Sequence, residues 1–447
     1  MRFFLFQSMN IEQFYPLYLA YPLIITDSRS VMPGSIFFGL RGGSFNGNDF
    51  AREALHKGAH YAVVDDPRVA GTDQRCILVE NSLEFMQSLA RFHRRKLNIP
   101  VLAITGTNGK TTTKELVASV LSHAYKVHYT KGNLNNHIGV PQTLLSMPDD
   151  TEMAVIEMGA NHPGEIDFLC RIAEPTHGLV TNVGKAHLEG FGSLEGVIRT
   201  KTEMFRYISE KGGMIFLNSG QEQLVREASK LPCRTITYGA KDIDNCRGMI
   251  TGTGPTLSLR VRTSSSPQND AGWVQISTRL FGEYNLDNVL AATCIGRQFG
   301  IDLLAVKERI ENYQPGNNRS EIRQSGNHTL ILDYYNANPA SMRLAIENLS
   351  KTTTGPKVAI LGDMFELGNY AAEEHRAVAS QADEAGLAQV FLIGPEFCRF
   401  TSRYPRLKFF QGTVDFAAYL DKHPLPASTI LLKGSRGMKL ENLLPYL

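Results

Sequence analysis

The feature that most restricts the fold is a strand–loop–helix segment, VLAITGTNGKTTTKELVASVL, at residues 101–121. Pro100 precedes an apolar and partly β-branched run, which predicts a buried strand. Apolar residues recur at helical spacing from Leu116 onward, which predicts a helix directly after the loop. Gly106 and Gly109 allow the backbone amides of the loop to turn inward. A glycine-rich loop between a strand and a helix is the context that a phosphate-binding loop requires.

Within this loop, the triplet Gly109-Lys110-Thr111 indicates two chemical roles. Lys110 is expected to reach the β- and γ-phosphates of a nucleotide, and the Thr111 hydroxyl to bind Mg²⁺. The usual phosphate-loop spacing requires glycine at position 104, where this chain has isoleucine. The alternative is a structural glycine turn beside a surface lysine. The strand–loop–helix context and the triplet together favour the phosphate site.

Apolar runs alternate with helical stretches along nearly the whole chain, which predicts an α/β fold with parallel sheets. The 447 residues exceed what one hydrophobic core usually serves, so several domains are expected. We predict three: a small N-terminal α/β domain over 1–82, a central domain over 83–312, and a Rossmann-like C-terminal domain over 313–447. Residues 246–280, rich in Gly, Ser and Thr, predict a β-hairpin excursion within the central domain.

The composition disfavours several classes of partner. A formal net charge of +2, with only a short basic cluster at 91–96, disfavours nucleic acid as the main partner. The six cysteines lack CxxC spacing, which argues against a zinc site or a disulfide framework and favours a reducing cytoplasm. The sequence has no run of 18 apolar residues, so it predicts no membrane-spanning helix. The apolar patch in the opening MRFFLFQSM is too short for a signal peptide. We therefore expect a cytoplasmic protein that does not insert into membranes.

Two further residues at strand ends are candidates for metal binding. The strand in TEMAVIEM ends on Glu157, and a carboxylate there suits a hard cation. A solvated acid is the alternative, but a buried unpaired carboxylate is costly, which favours the metal site. His187 follows another strand, in TNVGKAHLEGFGS. Because Mg²⁺ seldom takes imidazole, the residues alone leave His187 equally open to metal binding and to a surface position.

Longer motifs resemble those of the Mur ligase superfamily, the ATP-dependent amide ligases of peptidoglycan precursor synthesis. The phosphate loop is common to that superfamily. NNHIGVP, YNANP and LGDMFELG are similar to the member that adds D-alanyl-D-alanine to UDP-N-acetylmuramoyl-tripeptide. The resemblance covers essentially the whole chain, through TDSR (26–29), GTNGKTTTKE (106–115), NLNNHIGVPQTLL (133–145), EMGANHPGEI (157–166), NVGKAHLEGFGS (182–193), KTEMF (201–205), GEYNLDNVLAA (282–292), YNANP (335–339), LGDMFELG (361–368) and KGSRGMKLE (433–441).

The resemblance implies a ligase that cleaves ATP to ADP and phosphate through an acyl phosphate, with two Mg²⁺ ions. The catalytic residues it implies are Lys110, Glu157, His187, Lys201, Arg319 and Asp333. The metal ligands it implies are Thr111, Glu157, His187 and a CO₂-derived carbamate on Lys201. The ATP-binding residues it implies are Gly106, Thr107, Asn108, Gly109, Lys110, Thr111, Thr112, Asn285, Asn288, Arg319 and Asp333.

The resemblance also implies the contacts to the two other substrates, UDP-N-acetylmuramoyl-tripeptide and D-alanyl-D-alanine. In the N-terminal domain, the residues expected at the uridine diphosphate end are Asp27, Ser28, Arg29 and Asn46. The remaining substrate-binding residues it implies are Asn133, Asn136, Asn336, Asn338, Lys433, Ser435 and Arg436. For the basic loop 433–436, a solvated turn is the alternative.

Lys201 is the residue for which two interpretations differ most. By itself, IRTKTEMF predicts a surface lysine on a helix whose Met204 and Phe205 face the core. The resemblance implies a carbamate instead, because an ammonium beside two Mg²⁺ ions has a lowered pKa and its neutral amine can take up CO₂. The carbamate oxygens would be ligands that magnesium prefers.

Some positions depart from the family pattern. Relatives often have two acids before the YNANP segment, and here Leu332 precedes Asp333; Asn46-Gly47-Asn48 stands where relatives often read DGH. The alternatives are another Mur ligase or a folylpolyglutamate-type synthetase, and, from another class, a nucleotide-dependent binding protein without turnover. We expect a monomer, and the sequence leaves the third peptide residue of the substrate open.

Overall fold

The structure, a computed structural model, describes residues 9–71, 73–184, 188–252, 254–264, 272–316, 318–353 and 355–447. The chain divides into two compact units, which are described separately. The first comprises Met1–Ala103, Tyr125–Ala160 and Gly164–Gly178, and the second comprises Ile104–Ala124, Asn161–Pro163 and Leu179–Leu447. The three domain boundaries expected from the sequence stay a prediction.

The strands and helices of the described residues alternate along the chain. The strands are β1 (Ile24–Ile25), β2 (Ile36–Phe38), β3 (Tyr61–Val64), β4 (Cys76–Leu78), β5 (Val101–Thr105), β6 (Val127–Tyr129), β7 (Met153–Glu157), β8 (His177–Val180), β9 (Met214–Asn218), β10 (Arg234–Gly239), β11 (Cys246–Ile250), β12 (Thr256–Thr263), β13 (Val274–Phe281), β14 (Glu321–Ser325), β15 (His328–Leu332), β16 (Lys357–Gly362), β17 (Gln389–Ile393), β18 (Lys408–Phe410) and β19 (Thr429–Lys433). The α-helices are α1 (Ile11–Ala20), α2 (Ala51–His56), α3 (Pro67–Ala70), α4 (Ser82–Leu97), α5 (Lys110–Leu121), α6 (Gly139–Leu145), α7 (Glu165–Ala173), α8 (Leu188–Phe191), α9 (Leu194–Lys201), α10 (Glu203–Glu210), α11 (Glu222–Ala228), α12 (Leu286–Gln298), α13 (Leu303–Asn312), α14 (Pro339–Lys351), α15 (Ala371–Glu384), α16 (Pro395–Cys398) and α17 (Thr413–Lys422).

The first unit contains a small parallel sheet in the order β1-β2-β3-β4. Its core is built from Phe37 on β2, Ala62 and Val64 on β3, and Ala54 and Leu55 on α2, all of them buried. The same unit holds the start of β5 next to β7, and β7 pairs in parallel with β6. Parallel strands need crossover connections, and the helices between these strands supply them.

The second unit contains the end of β5 and the strand order β13-β12-β11-β10-β9-β8-β5. Strands β9, β10 and β11 are parallel, whereas β11, β12 and β13 are antiparallel. Along β12, Leu257, Leu259 and Val261 are buried at every second position, the alternation expected of a sheet with one covered face. The β excursion predicted for 246–280 is confirmed over its described residues.

The C-terminal sheet, also in the second unit, has the order β14-β15-β19-β16-β17-β18, in which only β14 is antiparallel. Alternate residues of β16 serve opposite faces: Val358 and Ile360 join one apolar cluster, and Ala359 and Leu361 join another. A parallel sheet covered on both faces is the doubly wound α/β arrangement that the sequence predicts.

The strand order brings three loops to one edge of the C-terminal sheet. Strands β15, β19 and β16 are neighbours and parallel, so their carboxyl ends lie side by side. The loops that follow them span 333–338, 434–439 and 363–370. Ligands of open α/β sheets bind beyond the carboxyl ends of such strands.

The predicted α/β fold class is confirmed: the described residues form three mainly parallel sheets, with the β excursion at one edge of the nine-stranded sheet. In the described part of the chain, no helix is both long and apolar enough to cross a membrane.

Candidate active site

The predicted phosphate loop lies between β5 and α5, and both of its glycines are required by their surroundings. Gly106 has φ +142°, and a Cβ atom there would overlap Thr181 Oγ1 and lie 3.0 Å from the Thr181 backbone nitrogen. Gly109 has φ +79°, and its Cβ would lie 2.5 Å from Asn288 Oδ1. A side chain at either position would combine backbone strain with overlap. The loop therefore has the tight inward turn that the sequence predicts.

The end of β8 holds the tip of this loop. The Thr107 backbone nitrogen donates to Asn182 O at 2.9 Å, and the Asn108 nitrogen donates to Asn182 Oδ1 at 3.0 Å. Thr181 Oγ1 donates to the Asn108 carbonyl at 2.6 Å. These bonds fix the backbone conformation of the loop without using its side chains.

Helix α5 begins at Lys110, immediately after the loop. Its N-cap residue is Gly109, and no side chain caps the first turn. The Lys110 Nζ atom donates to Gly106 O at 2.7 Å and to Thr107 O at 3.1 Å, so it lies over the loop. Thr111 and Thr112 follow and are buried. Uncapped amides and a cation at a helix start are the groups that bind phosphate.

Asn285 and Asn288, which the resemblance assigns to ATP, form a buried network behind the loop. Asn288 Nδ2 donates to Asn285 Oδ1 at 2.8 Å, and Thr113 Oγ1 donates to Asn288 Oδ1 at 3.0 Å. Asn285 Nδ2 donates in turn to Phe281 O at 2.8 Å. The two amides thus connect α12 to the first turn of α5. Their direct contact with the nucleotide stays a prediction.

A residue from the C-terminal sheet contacts the loop directly. Asn338 Nδ2 donates to Asn108 Oδ1 at 2.6 Å, across 230 positions of the chain. The Asn338 Oδ1 atom accepts from the Ser341 backbone nitrogen at 2.9 Å, which caps α14. The loop 333–338 therefore lies against the tip of the phosphate loop, and the substrate contact predicted for Asn338 stays a prediction.

A charged pair, Asp333 and Lys433, connects the start of loop 333–338 to the end of β19. Lys433 Nζ donates to Asp333 Oδ2 at 2.6 Å, and Asp333 Oδ1 accepts from the Ser320 backbone nitrogen at 3.1 Å. Lys433 is only 2% exposed and the Asp333 side chain is 16% exposed, so the pair is mostly buried. Asp333 is thereby bonded to two protein donors, and its predicted role toward the nucleotide is untested.

Two guanidinium groups approach the ring of Tyr335. The Arg319 guanidinium carbon lies 3.8 Å from the ring centre, and that of Arg436 lies 5.8 Å from it. Arg319 Nε is buried and has no hydrogen-bond partner among the described residues. A buried donor without a partner suits a site that an anionic ligand completes.

The loop after β16, which contains MFELG, is held in place by hydrogen bonds to residues distant in the sequence. The Met364 backbone nitrogen donates to His375 Nε2 at 3.0 Å, and the Phe365 nitrogen donates to Ser435 Oγ at 2.9 Å. The Asp363 carboxylate accepts from the backbone nitrogens of Glu396 and Phe397. Burial raises the pKa of the Asp363 carboxyl above its ordinary value. This loop conformation is therefore built by long-range contacts.

In the first unit, Glu157 ends β7 and is 2% exposed. Its Oε1 atom accepts from Asn135 Nδ2 at 2.9 Å, and its backbone nitrogen donates to Thr130 Oγ1 at 2.9 Å. Asn136 Oδ1 accepts from the Gly139 nitrogen at the start of α6, and its predicted contact with substrate stays a prediction. The solvated strand-end acid considered as an alternative for Glu157 is wrong, because the side chain is buried.

The predicted uridine site lies on the surface of the first unit. Asp27 and Arg29 form an exposed pair at 2.6 Å, and the hydrogen bonds from Arg29 lower the Asp27 pKa to about 2. Asn46 Oδ1 accepts from the backbone nitrogen of Asn48 at 3.2 Å. Thr26 Oγ1 accepts from Gln142 Nε2 at 2.8 Å, which brings the 26–29 segment beside α6.

Lys201 ends α9 and is buried, 2% exposed, with its Nζ atom 5.4 Å from the centre of the Phe191 ring. The interpretation as a surface lysine is wrong, although Met204 and Phe205 face the core as predicted. His187 lies outside the described residues, so its predicted role is not tested by the structure.

The family models and the known relatives agree with this geometry. The model for the Mur ligase family catalytic domain matches residues 21–94, that for the Mur ligase middle domain 104–296, and that for the Mur ligase glutamate ligase domain 318–436. A UDP-N-acetylmuramoyl-tripeptide–D-alanyl-D-alanine ligase of Bacillus subtilis is 33% identical, covering 94% of this chain and 92% of its own. The Escherichia coli protein of the same name is also 33% identical, with the same coverage.

The chain belongs to the Mur ligase family.

Solved structures extend the similarity to three dimensions. A crystal structure of MurF from Acinetobacter baumannii matches with a TM-score of 0.86 and 28% identity, covering 98% of both chains. A MurF ligase from Thermotoga maritima in complex with ADP matches with a TM-score of 0.82 and 26% identity, covering 96% of this chain and 97% of that one. As a Mur ligase, the chain is an ATP-dependent enzyme that forms an amide bond.

The donor chemistry of this Mur ligase fits magnesium. Thr111 offers a hydroxyl oxygen and Glu157 a carboxylate, both of them hard donors. Among the described residues, no three His, Cys, Asp or Glu side chains gather into a metal-binding group. Mg²⁺ commonly takes one or two carboxylates and completes its shell with substrate phosphates and water.

The sequence predicted no individual role for Tyr335, Phe365 or Asn135. All three lie inside motifs that resemble the family: YNANP, LGDMFELG and NLNNHIGVPQTLL. Thr181 and Asn182 hold the phosphate loop from β8, and only the strand order reveals that contact.

Proposed function

We propose that this Mur ligase joins D-alanyl-D-alanine to UDP-N-acetylmuramoyl-tripeptide, with ATP cleaved to ADP and phosphate, in peptidoglycan precursor synthesis. The observation that carries the proposal is the 2.6 Å bond between Asn108 in the phosphate loop and Asn338 in the YNANP loop. It joins the nucleotide loop common to the superfamily to a motif particular to the D-alanyl-D-alanine-adding member. The names of the relatives from Bacillus subtilis and Escherichia coli support the same reaction.

The reaction has two steps. A carboxylate oxygen of the tripeptide attacks the γ-phosphorus of ATP, which forms an acyl phosphate and releases ADP. The amine of D-alanyl-D-alanine then attacks the acyl carbon, and the tetrahedral intermediate collapses to an amide, inorganic phosphate and a proton. The residues act mainly by positioning these groups and by stabilising charge.

The phosphoryl transfer brings two anions together, so cations and backbone amides are needed there. Lys110, over the phosphate loop, would neutralise charge on the transferred group. Arg319 would supply a second positive charge through its buried Nε atom, which has no partner among the described residues. Three residues would act by holding the loops of the site in place: Asn285, Asn288 and Asp333. Three others would act as parts of the phosphate loop and the start of α5: Thr107, Asn108 and Thr112.

Magnesium is part of the proposal. Thr111 and Glu157 would bind it, with His187 at a second ion, and bound Mg²⁺ would offset the repulsion between phosphate and carboxylate. For Lys201 we propose a carbamate whose oxygens bind magnesium. The burial of Lys201 supports a role other than that of a solvated surface cation.

The other substrates complete the proposal. Asp27, Ser28, Arg29 and Asn46 would bind the uridine diphosphate end. The peptide portions of the substrates would be bound by four asparagines, Asn133, Asn136, Asn336 and Asn338. The loop of Lys433, Ser435 and Arg436 would bind them as well. We further propose domains at 1–82, 83–312 and 313–447, a monomer, and a cytoplasmic reaction because ATP and a UDP-linked substrate are used there.

One assay tests the reaction. Phosphate release and mass spectrometry of the product would be followed with ATP, UDP-N-acetylmuramoyl-tripeptide and D-alanyl-D-alanine, and with each substrate omitted in turn. We expect phosphate and a UDP-linked pentapeptide only when all three are present. Phosphate release without the dipeptide, or a product extended by glutamate, would indicate one of the alternative ligases.

A second experiment tests the carbamate. Lys201→Ala is expected to be nearly inactive and to regain some activity with added formate or acetate, and bicarbonate depletion is expected to slow the parent enzyme. Near-parent activity of Lys201→Ala or Lys201→Arg would contradict the carbamate.

A further inference from the structure

The β excursion in the second unit has one face covered by a helix and one face turned away from it. A Cβ atom on Gly248 of β11 would lie 2.4 Å from Leu290 Cδ2, so α12 covers the face to which Gly248 points. Successive side chains of a strand point to opposite faces. Arg247 and Met249, on either side of Gly248, therefore point away from α12, and we call this side of β11, β12 and β13 the outward face.

Arginine is concentrated on the outward face. In the antiparallel pairing, Arg247 lies directly opposite Arg262, and Arg260 lies opposite Met249. Arg279 is exposed further along β13. The three strands contain these four arginines and no aspartate or glutamate. Because the whole chain has a formal net charge of only +2, the positive charge of this face is a local concentration.

The single tryptophan of the chain, Trp273, lies among these arginines and is partly exposed. The guanidinium carbons of Arg247, Arg260 and Arg262 lie 5.6, 5.1 and 5.2 Å from the centre of its ring. At such distances a guanidinium is attracted to an aromatic ring. Like charges directly opposite each other in a sheet are nevertheless destabilising. The fold thus gathers three guanidinium groups around one ring against their mutual repulsion.

Acidic side chains neutralise this cluster only in part. Arg247 is paired with Asp242. Arg260 is exposed, and its side-chain hydrogen bond among the described residues runs from Nε to Met249 Sδ at 3.0 Å. A thioether sulfur is a weak acceptor, so this bond leaves the charge of Arg260 available to an external anion.

The geometry of the outward face suits a broad partner. The backbone of β12 is paired with β11 on one side and β13 on the other, so its amides are not available to enclose a small anion. The edge of β13 is closed as well. Lys307 Nζ donates to Gln275 O at 2.8 Å, and Glu311 Oε1 accepts from the Ser277 nitrogen at 2.8 Å. These bonds block the addition of a further strand from a peptide.

We propose that the outward face of β11, β12 and β13 binds the surface of an anionic lipid bilayer. Arg247, Arg260 and Arg262 would contact the lipid phosphates, and Trp273 would lie at the level of the headgroups. Each arginine near an anionic membrane surface is expected to increase partition about fivefold, and tryptophan favours the membrane–water interface. The attachment would be peripheral and reversible, and this inference does not depend on the proposed function.

The fluorescence of Trp273 reports on this face directly, because the chain has no other tryptophan. The full chain would be titrated with vesicles of equal parts phosphatidylcholine and phosphatidylglycerol, and with vesicles of phosphatidylcholine alone. We expect a blue shift of the emission and co-sedimentation with the anionic vesicles only. Both should disappear at high salt, which screens the charges. Free inorganic phosphate at the same phosphorus concentration should cause neither change.

Charge variants locate the binding surface. Arg260→Gln combined with Arg262→Gln should weaken co-sedimentation about 10- to 30-fold, because two charges leave the face. The matched control, Arg226→Gln combined with Arg403→Gln, removes the same charge from exposed positions elsewhere and should change binding less than about twofold. Trp273→Phe should weaken co-sedimentation about 2- to 4-fold. Thermal midpoints, and ligase activity without vesicles, should stay parental in both arginine double variants.

The proposal would be overturned by three results: equal binding to neutral and anionic vesicles, no binding to either, or equal losses in the two double variants. Poly-glutamate and single-stranded DNA provide the comparison with other polyanions. A change in Trp273 fluorescence with one of these, without any change on anionic vesicles, would also overturn the membrane assignment. The face would then belong to an acidic protein or to nucleic acid.

Discussion

The phosphate loop and the predicted uridine site are both short polar segments after a strand, but they are built in opposite ways. The phosphate loop acts through its backbone, and buried partners such as Thr181 and Asn288 surround its glycines. In the predicted uridine site, Asp27 and Arg29 bond to each other across two positions, and the Arg29 side chain is 86% exposed. Changes in the first region should therefore affect chemistry and stability together, and changes in the second should affect mainly binding, with a small effect on stability.

The largest effect is expected for the cation of the phosphate loop. Lys110→Ala should reduce turnover about 1,000-fold or more, because it removes a charge from the transferred phosphoryl group. The measurement is phosphate release with all three substrates, with the thermal midpoint as control for folding. Activity within tenfold of the parent at an unchanged midpoint would remove the phosphate-loop interpretation.

The next effect separates the two regions by stability. Gly106→Ala should lower the free energy of unfolding by about 2–4 kcal/mol, because the methyl group would overlap Thr181 in a backbone that disfavours side chains. Gly43→Ala, in the N-terminal loop, is the matched control. No atom lies within 4 Å of its added Cβ, so a change within about 1 kcal/mol is expected.

Denaturant unfolding of both glycine variants measures this contrast. Equal losses in the two variants would mean that the phosphate loop is no more constrained than the N-terminal loop.

A smaller effect is expected behind the loop. Asn288→Ala should lower the free energy of unfolding by about 1–3 kcal/mol, because the buried partners on Thr113 and Asn285 lose their hydrogen bonds. The KM for ATP should rise as the first turn of α5 loosens. A raised KM with an unchanged thermal midpoint would indicate instead that Asn288 contacts the nucleotide directly.

The smallest effect concerns the exposed pair Asp27 and Arg29 of the predicted uridine site. The Asp27 carboxyl should titrate near pH 2 in the parent, because Arg29 stabilises its charged form. Since this folded-state pKa is lowered from 3.8, the contribution of the pair is present above about pH 4 and is lost as the pH falls toward 2. In Arg29→Ala the midpoint should return toward 3.8.

Carbon-13 NMR of the Asp27 carboxyl group follows that titration. An unchanged midpoint in Arg29→Ala would show that the pair does not form in solution, and the contrast between the two regions would weaken.

Some residues of the site can be predicted from local sequence patterns, and others depend on burial and long-range contacts. Lys110 and Thr111 were identified because glycine spacing and helix onset are local. The residue type of Lys201 alone predicts a surface position, whereas the resemblance implies a metal-binding carbamate; the side chain is buried, 2% exposed. Substrate contacts were predicted for Asn133 and Asn136 but not for Asn135, which lies in a loop beside the end of β7 and bonds to Glu157 there.

The sequence by itself determined the α/β class, the β excursion, the phosphate loop and the start of α5, since these depend on hydrophobic period and on glycine within a few residues. The tertiary structure alone decided which distant residues meet: Asn108 with Asn338, and Phe365 with Ser435. Those contacts follow from the order of the strands within the sheets. That order cannot be read from the residue pattern of any short segment. The strand order is set by the packing of all the sheets and helices together, so these long-range contacts of the site could be seen only in the folded molecule.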